Sequence, residues 1–295
     1  MKVSIIIPCY NSEKWIEECV LSALQQTYAD TEVIFVDNES TDDSVDIVKK
    51  IKEKHSNLIM SSAKNLYPNC WDEPRSKGLE LMSGDYFTVI GSDDFLSEKY
   101  VENCMKIIMK APDKIKALQS PMQGMQSAQG DTKYSNILSH SYSSIKEFKE
   151  LCLKGCPVNT PSVIYSSELY HKKVINTKPE TYGGAADYDM YCSMADAGVF
   201  IYPAPVWLGF FYRWHEDQAT WKMHKDPTNY DIIFLFYPLA TVPWPYTLSS
   251  RNTRILMPPI SLKSTVATHT GAKKMGYTVQ QVVWEWELRL LLAGH

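Results

Sequence analysis

The sequence has no surplus of basic residues, no long apolar run and no recognisable export signal. Its 295 residues carry a formal net charge of −4, whereas a nucleic-acid-binding face usually needs a basic patch. The longest apolar run, residues 232–239, is less than half of the ~20 residues that a membrane-spanning helix needs. The apolar start, residues 1–8, is too short for a signal peptide. We therefore expect a cytoplasmic protein without nucleic acid as a partner, which contacts a membrane at most peripherally.

Paired cysteine motifs are also absent. The seven cysteines include no Cys-x-x-Cys pair, and most lie inside apolar patterns, which is typical of a reduced intracellular protein with buried thiols. Cys152 and Cys156 are close enough in sequence to pair or to bind a metal. Their helical spacing beside Leu151 and Leu153 favours packing in the core instead.

The glycine-rich loops that bind phosphates are missing as well. Neither Gly-x-Gly-x-x-Gly nor Gly-x-x-x-x-Gly-Lys occurs, which argues against dinucleotide-binding enzymes and P-loop NTPases. If the protein binds a diphosphate, a metal ion must supply the positive charge.

The first hundred residues contain a regular alternation of strand and helix patterns. Apolar and β-branched runs predict strands at residues 3–7, 32–36, 58–60 and 86–90. Apolar residues at helical spacing predict helices at residues 12–26, around 45–51, at 74–82 and at 100–110. Strands that alternate with helices form a mainly parallel sheet covered on both faces, so the predicted fold class is α/β.

Beyond residue 115 the pattern is less regular. Residues 119–143 predict a long loop or an irregular hairpin. The later elements are helices at 145–153 and 186–197 and strands at 160–165, 199–202 and 207–213. From about residue 227 the sequence is rich in proline and aromatic residues, up to a last helix at 278–292. We therefore divide the chain into residues 1–115, 116–225 and 226–295.

Two adjacent carboxylates, Asp93 and Asp94, follow the fourth predicted strand. Ligands of open α/β sheets bind outside the carboxyl ends of the strands, and side-by-side acids are costly unless a cation or a proton offsets them. These acids therefore predict a divalent-metal site that holds a phosphorylated ligand. The alternative is a polar turn whose acids begin the next helix, because the residues after Ser92 also match a first helical turn.

Three further residues are expected at the same edge of the sheet. Asp37, at the end of the second strand, can accept hydrogen bonds from a nucleobase or ribose, or can form a turn or a helix cap. Tyr10, after the first strand, can stack on a base or cover the sheet edge. Arg75, at the start of the third helix, can reach a diphosphate or be an ordinary surface arginine.

Three segments, residues 3–11, 35–42 and 84–94, together resemble the inverting family-2 glycosyltransferases of GT-A fold. The resemblance covers about the first 110 residues continuously, and its combined motifs are specific. It implies a Rossmann-like sheet with helices on both faces, an α+β acceptor-side half and a C-terminal helical extension. Residues 1–115 would then bind the nucleotide-sugar, and residues 116–225 would bind the acceptor and supply the catalytic base.

The resemblance assigns the nucleotide to residues that follow the first two strands. Asp37 matches the aspartate that contacts the nucleobase, usually uracil, with help from the residues that match Pro8 and Tyr10. Asn11 belongs to the same motif and is expected at the donor site. Arg75 matches an arginine that helps to bind the nucleotide, although the common Arg-Asn-x-Gly segment is Arg-Ser-Lys-Gly here.

The resemblance also assigns the acidic turn. Asp93 and Asp94 match the acids that bind the ribose and the Mn²⁺ or Mg²⁺ ion on the diphosphate, with Ser92 beside them in the donor site. The family's Asp-x-Asp often begins with an acid where this chain has Gly91. Asp93 and Asp94 must therefore divide the metal and ribose contacts between them, and either can be the metal ligand.

Residues 183–190 resemble the family's Glu-Asp segment, in which the aspartate is the catalytic base. Asp187 takes that position, with Ala186 in place of the common glutamate. An inverting transfer needs one base to remove the proton of the acceptor hydroxyl as it attacks the anomeric carbon. Asp189 is the second candidate. The alternative is that both acids only stabilise the N-terminus of a helix.

Residues 212–218 resemble the family's terminal arginine and histidine motif. By this resemblance, Arg213 or His215 would stabilise the departing diphosphate, or His215 would complete the metal shell. The alternative for a lone histidine is a structural role.

The sequence thus predicts a metal-dependent inverting glycosyltransferase. Its donor would be a nucleotide-diphosphate sugar, UDP-linked by resemblance, and its acceptor a hydroxyl of a glycan or a lipid-linked saccharide. The alternatives are a nucleotide-sugar-binding module without activity and a sugar nucleotidyltransferase. The broad apolar face of the helix at 278–292 predicts packing on the body, on a second subunit or on a membrane surface.

Overall fold

The computed structural model describes residues 1–218, apart from residues 68, 129–130, 141, 153–155, 184–185 and 216–217. The predicted C-terminal part, residues 226–295, lies outside the described residues, as does its helix at 278–292. The expected second subunit or membrane surface at that helix therefore stays a prediction. In the described part, no helix combines the length and the apolar character that crossing a lipid bilayer requires.

The described residues form eleven strands and eight α-helices. The strands are β1 (Val3–Cys9), β2 (Thr31–Asp37), β3 (Leu58–Ser62), β4 (Tyr86–Val89), β5 (Phe95–Leu96), β6 (Ala117–Gln119), β7 (Met122–Ala128), β8 (Asp131–Leu138), β9 (Val163–Ser166), β10 (Ile201–Pro203) and β11 (Phe210–Trp214). The α-helices are α1 (Ile16–Leu24), α2 (Ser44–Lys52), α3 (Glu73–Leu81), α4 (Tyr100–Ile108), α5 (Ile145–Cys152), α6 (Ser167–His171), α7 (Pro179–Tyr182) and α8 (Ala186–Asp196).

Seven strands form the main sheet, in the order β10-β6-β9-β4-β1-β2-β3. Strands β4, β1, β2 and β3 are parallel to one another, and β6 is parallel to β10, whereas β9 runs antiparallel to β4 and β6. The predicted α/β fold with a mainly parallel sheet is therefore confirmed. Strands from both sides of residue 115 share this sheet, and the predicted domain boundaries stay predictions.

The continuous apolar run of β1 explains its central position. Val3, Ile5 and Ile7 pack on one face with residues of α1, α2 and α4. Ile6 points to the opposite face, where residues of α3, α5 and α8 pack. All four side chains are fully buried. A side chain added at Gly78 would put its Cβ 2.3 Å from Ile6 Cγ2, so the close approach of α3 to β1 requires glycine at this position.

A second sheet, in the order β5-β11-β7-β8, joins distant parts of the chain. Strands β7 and β8 form an antiparallel hairpin with a register shift near its start, so the irregular hairpin is the correct alternative for residues 119–143. Strand β5 follows the acidic turn directly and pairs antiparallel with β11. The alternative in which the two acids begin a helix is therefore wrong, because the next helix begins only at Tyr100.

Three predicted strands begin later than the sequence pattern indicates. The segment Thr160–Ser162 is a 3₁₀ turn, and β9 starts after it, since Pro161 has no N–H to donate to a strand neighbour. Gly209 has a φ of 117°, and β11 starts at the next residue. Strand β10 begins at Ile201 rather than at residue 199. Apolar character extends into the turns before these strands, so composition alone does not locate the residues at which the strands begin.

The seven cysteines are free thiols, and Cys9, Cys19, Cys104 and Cys152 are buried. Cys152 packs in the core cluster on the α8 side of the sheet, and Cys156 is partly buried against the same cluster. This arrangement agrees with the interpretation of both residues as packing residues.

Glu32 is a buried carboxylate at the amino end of β2. Its Oε1 accepts hydrogen bonds from Ser4 Oγ at 2.6 Å and from Ser83 N at 2.7 Å. Its Oε2 accepts one from Ser83 Oγ at 2.8 Å and lies 2.5 Å from Lys2 Nζ. Burial by itself raises the pKa of Glu32, but these partners outweigh it and leave the pKa below its ordinary value. The ionised form is therefore the one that stabilises this end of the sheet.

We expect Glu32→Gln to lower the free energy of unfolding by about 2 kcal/mol at pH 7, because an amide cannot accept all four contacts. The folded pKa lies below the unfolded one, so the contribution is present above pH 4.5 and is lost as the pH falls through the folded value. Urea unfolding at pH 7 and at about pH 3 measures the difference, with the exposed Glu17→Gln as control. A difference that stays constant between the two pH values would contradict this assignment.

Candidate active site

The carboxyl ends of β1 and β2 form one wall of the candidate site. Cys9 and Asp37, the last residues of these strands, are paired in parallel register. The Asp37 carboxylate accepts hydrogen bonds of 3.2 and 3.3 Å from Ser40 N, which is the local turn that the sequence offers as an alternative role. Pro8 lies within β1, and Tyr10 follows it with 51% of its surface exposed. The structure thus brings Pro8, Tyr10 and Asp37 to one edge of the sheet, and their contact with a nucleobase stays a prediction.

Asn11 ties the loops after β1 and β2 together. Its φ is 50°, a left-handed conformation that asparagine adopts more readily than most residues. Its Oδ1 accepts a hydrogen bond from Thr41 N at 2.7 Å, and its N–H donates to Ser40 Oγ at 3.0 Å. Asn11 therefore shapes this wall, and its direct contact with a donor stays a prediction.

The turn after β4 packs its carboxylates over Gly91. A Cβ at this position would lie 2.6 Å from Asp93 Oδ1 and 3.0 Å from Asp94 Oδ2. The side chains of Asp93 and Asp94 thus occupy the space that an acidic side chain at position 91 would need. Ser92 points to the first loop, where its Oγ lies 2.6 Å from Ser12 Oγ.

Asp94 is the buried member of the acidic pair. Only 2% of its surface is exposed, and its Oδ1 accepts a hydrogen bond of 2.9 Å from Arg213 N. Burial, and after it the charge of Asp93, raise the pKa of Asp94 well above its ordinary range. Asp94 therefore fastens β11 to the acidic turn.

Asp93 is the partly exposed member and faces His215. Asp93 Oδ2 and His215 Nε2 lie 2.9 Å apart, and 22% and 14% of the two side chains are exposed. The imidazole also packs against Trp15, with ring centroids 5.4 Å apart. The turn thus presents one carboxylate together with an imidazole, while its other carboxylate is directed inward.

Arg213 is buried beneath the same turn. Its Nε donates to the Asp93 carbonyl oxygen at 2.7 Å, and its Nη2 bonds the Glu18 carboxylate. The guanidinium carbon lies 4.4 Å from the Trp15 ring centroid, a cation–π contact. These contacts place a positive charge next to the acidic pair, and a direct contact of Arg213 with a diphosphate stays a prediction.

Arg75 points toward α8. Its Nη1 donates to Asp72 Oδ2 at 3.0 Å and to Thr177 Oγ1 at 3.1 Å, and its Nη2 lies 3.8 Å from Met190 Sδ. The side chain is 15% exposed, so the interpretation as an ordinary surface arginine is wrong. Its contact with a nucleotide stays a prediction.

Asp187 lies in the first turn of α8, with its carboxylate held from two sides. Thr160 Oγ1 donates to Oδ2 at 2.8 Å, and Tyr188 N donates to Oδ1 at 2.7 Å. Burial raises the pKa of Asp187, while these hydrogen bonds and the Arg75 charge oppose the rise. Asp189 instead forms an ion pair, with its Oδ2 3.8 Å from Lys178 Nζ. Burial raises its pKa as well.

A comparison with protein families identifies the family to which the chain belongs. Residues 4–176, more than half of the 295-residue chain, match the model described as Glycosyl transferase family 2. The chain belongs to glycosyl transferase family 2. The predicted family is therefore confirmed.

Individual proteins are similar to different parts of the chain. A poly(ribitol-phosphate) beta-glucosyltransferase of Bacillus spizizenii is 37% identical over 101 residues, which are 34% of this chain and 16% of that protein. The S. aureus TarS 1–349 structure in complex with UDP-GlcNAc has a TM-score of 0.61 at 21% identity, covering 80% of this chain and 65% of that 1–349 chain. A mannosyltransferase from Pyrobaculum calidifontis, in complex with GDP-Man and Mn²⁺, has a TM-score of 0.56 at 16% identity, covering 99% and 80%. These structures bear out the predicted GT-A fold.

Asp93 and His215 offer a carboxylate and an imidazole, side chains that can both bind metal ions, and their role as ligands of a Mn²⁺ or Mg²⁺ ion stays a prediction. Asp93 Oδ2 and His215 Nε2 lie 2.9 Å apart, so one ion would be within reach of both side chains. Mg²⁺ sites commonly combine one or two carboxylates with substrate phosphates and water. Over the described residues, no cluster of three or more His, Cys, Asp or Glu side chains has the geometry of a metal site.

Several residues around this family-2 site are not singled out by the sequence reasoning. Trp15 and Glu18 hold Arg213, and Asp72 and Thr177 hold Arg75. Asp72 stands three residues before Arg75, a helical spacing that offers a local signal. Thr177 carries no such signal, because it reaches Asp72 across 105 residues of chain.

Proposed function

We propose that this family-2 chain transfers a sugar from a nucleotide-diphosphate donor to an acceptor hydroxyl, with inversion and with a divalent metal ion. The observation that carries the proposal is the pair of Asp93 and His215, 2.9 Å apart at the carboxyl edge of the main sheet. Outside the carboxyl ends of the strands is where open α/β sheets bind ligands. The complexes of TarS with UDP-GlcNAc and of the Pyrobaculum mannosyltransferase with GDP-Man and Mn²⁺ support the same class of donor.

Asp93 and His215 would hold the metal ion. When bound, the ion would neutralise the charge of the diphosphate, which no glycine-rich loop of this chain can do. We favour Asp93 over Asp94 as the ligand, because Asp94 already accepts the Arg213 N–H and is 2% exposed. The Arg213 guanidinium, beside the turn, adds a fixed positive charge to the region.

Asp37 would recognise the nucleobase. A carboxylate only accepts hydrogen bonds, so it selects a base edge that carries an N–H donor, as uracil does. Tyr10 is exposed beside it and offers a ring on which a base can stack. A UDP-linked donor is therefore favoured, and guanine, which also carries a ring N–H, is the base against which it has to be tested.

Asp187 would act as the general base. The acceptor oxygen forms the new bond to the anomeric carbon as its proton moves to the Asp187 carboxylate, and the nucleoside diphosphate leaves with the electron pair of the broken bond. A raised pKa makes this carboxylate a stronger base than an exposed aspartate. Thr160 fixes one carboxylate oxygen at 2.8 Å, so the direction of the other is restricted. The acceptor we propose is a hydroxyl of a glycan or of a lipid-linked saccharide.

In the presence of Mn²⁺, a UDP-sugar at about 100 times its Kd should raise the melting temperature by about 5–10 °C. Binding at this concentration adds about 2.7 kcal/mol to the free energy of unfolding. EDTA should remove most of this rise, and Asp37→Asn should lower it while the exposed Asp30→Asn does not. The same samples, assayed for donor hydrolysis, should release UDP. A rise with GDP-sugars alone would overturn the choice of base.

The two alternatives give different products in this assay. A non-catalytic binding module would be stabilised by the donor without releasing UDP under any condition. A nucleotidyltransferase would instead form the sugar nucleotide and pyrophosphate from a nucleoside triphosphate and a sugar phosphate. Either result would overturn the proposed transfer.

A further inference from the structure

Asp72 is a buried carboxylate that the proposed reaction does not use. It lies directly before α3 with 5% of its surface exposed. Its Oδ2 accepts hydrogen bonds from Arg75 Nη1 at 3.0 Å, from Ser76 Oγ at 3.0 Å and from Thr177 Oγ1 at 2.6 Å. One oxygen thus collects three donors, and a charged carboxylate in this position is well satisfied despite its burial.

Asp72, Arg75 and Thr177 form a closed ring of hydrogen bonds. The Thr177 hydroxyl donates to Asp72 and accepts from Arg75 Nη1 at 3.1 Å, while Arg75 donates to Asp72 directly. A hydroxyl has one proton to donate, and here it goes to the carboxylate. Each member therefore fixes the other two, and the arginine loses the freedom of a surface side chain.

The ring joins the start of α3 to the segment before α7, and Arg75 extends from it to α8. Arg75 Nη2 lies 3.8 Å from Met190 Sδ, and Met190 stands three residues after Asp187 on the same helix face. Trp71 Nε1 donates to the carbonyl oxygen of Gly183, between α7 and α8, at 3.0 Å, and this bond also holds the segment before α3 near the start of α8. The guanidinium is thereby held on the side of α8 that carries the carboxylate.

Two other titratable groups face Asp187, and both are neutral near pH 7. Tyr165, from β9, and Tyr191, from α8, have hydroxyl oxygens 3.0 Å apart. Burial raises the pKa of each of these phenols above its ordinary value. Arg75 is the charged group among the neighbours, and its charge lowers the pKa of Asp187 against the effect of burial.

We propose that Asp72 and Thr177 are positioning residues, which hold the Arg75 guanidinium against the face of α8 that carries Asp187. This inference rests on the proposed role of Asp187 as the base. The consequence is that the Arg75 charge favours the ionised form of this partly buried carboxylate, which is the form that can take a proton. Without the ring, Arg75 is free to turn away and burial alone acts on Asp187.

The test is the titration of the Asp187 carboxyl, followed by NMR in protein labelled with ¹³C at aspartate carboxyl groups. The Asp187 signal is the one that Asp187→Asn removes. Thr177→Val keeps the size of the side chain and removes the hydroxyl, so we expect the titration midpoint of Asp187 to rise. Thr177→Ser keeps the hydroxyl and should restore the midpoint of the unchanged protein. Lys77→Ala, at a partly exposed position on α3, is the matched control and should leave the midpoint unchanged.

Asp72→Asn provides an independent variant in case Thr177→Val does not fold. Removal of a negative charge would by itself lower the midpoint of a nearby acid, so a rise in this variant, opposite to that effect, would support release of Arg75. An unchanged or lowered midpoint in the folded variants would overturn the inference. The titration needs neither donor nor acceptor, so it tests the positioning of Arg75 even if the chain does not transfer a sugar. Absence of transfer would overturn the proposed function and not this inference.

Discussion

Asp187→Asn is expected to reduce sugar transfer by about 10²–10⁴-fold, the range that loss of a general base produces. The amide has nearly the same shape and can still accept the hydrogen bond from Thr160 Oγ1, which is 2.8 Å long in the structure. It cannot take the proton of the acceptor hydroxyl. Donor affinity, measured by titration calorimetry with a UDP-sugar and Mn²⁺, should therefore change little, while kcat falls.

Two further variants of α8 make this prediction specific. Asp189→Asn tests the second candidate, whose carboxylate lies 3.8 Å from Lys178 Nζ, and it should retain most of the transfer rate. Asp196→Asn, near the other end of the helix, is a surface control. Equal transfer rates for the unchanged protein and Asp187→Asn would refute the assignment, and loss of transfer in Asp189→Asn alone would move the base to Asp189.

His215→Ala and Asp93→Asn are expected to weaken Mn²⁺ binding by about 100-fold or more, because each removes a proposed ligand, and loss of a supporting residue of a metal site already costs about 10–100-fold. Transfer at a fixed Mn²⁺ concentration should fall in parallel. The measurement is the free Mn²⁺ signal in electron paramagnetic resonance, in the presence of UDP. Mn²⁺ affinity that is unchanged in both variants would falsify this metal site.

The Asp94→Ala variant tests whether Asp94 is a structural acid or a metal ligand. Asp94→Ala leaves the Arg213 N–H without its acceptor, so we expect it to lower the free energy of unfolding by about 1–3 kcal/mol. Its effect on Mn²⁺ affinity should be smaller than that of Asp93→Asn. The opposite order of the two effects would assign the metal to Asp94.

The parts of the fold that follow from local sequence patterns could be predicted. β1, β2 and β4 are apolar runs that end in polar turns, so the edge of the sheet and the positions of Asp37, Asp93 and Asp94 on it follow from periodicity. The sequence does not reveal which acid of the pair is buried. That depends on β11, which donates the Arg213 N–H to Asp94 across 119 residues.

Contacts between distant segments account for most of what the sequence could not predict. Arg75 was expected to face a diphosphate or solvent, and its observed partners include Thr177, 102 residues away. Arg213 similarly meets Glu18, 195 residues away. Side-chain direction at such positions is decided by the packing of whole elements against one another, and single-sequence patterns carry no record of it.

The pairing of β5 with β11 also governs when the site can exist during synthesis of the chain. Asp93 is synthesised 122 residues before His215. Strand β5 likewise precedes its partner strand β11 by more than a hundred residues. A nascent chain that ends near residue 115 therefore holds the aspartates without the imidazole and without the backbone donor for Asp94. The two residues of the proposed metal site therefore come together only after residue 215 has been synthesised and β11 has paired with β5.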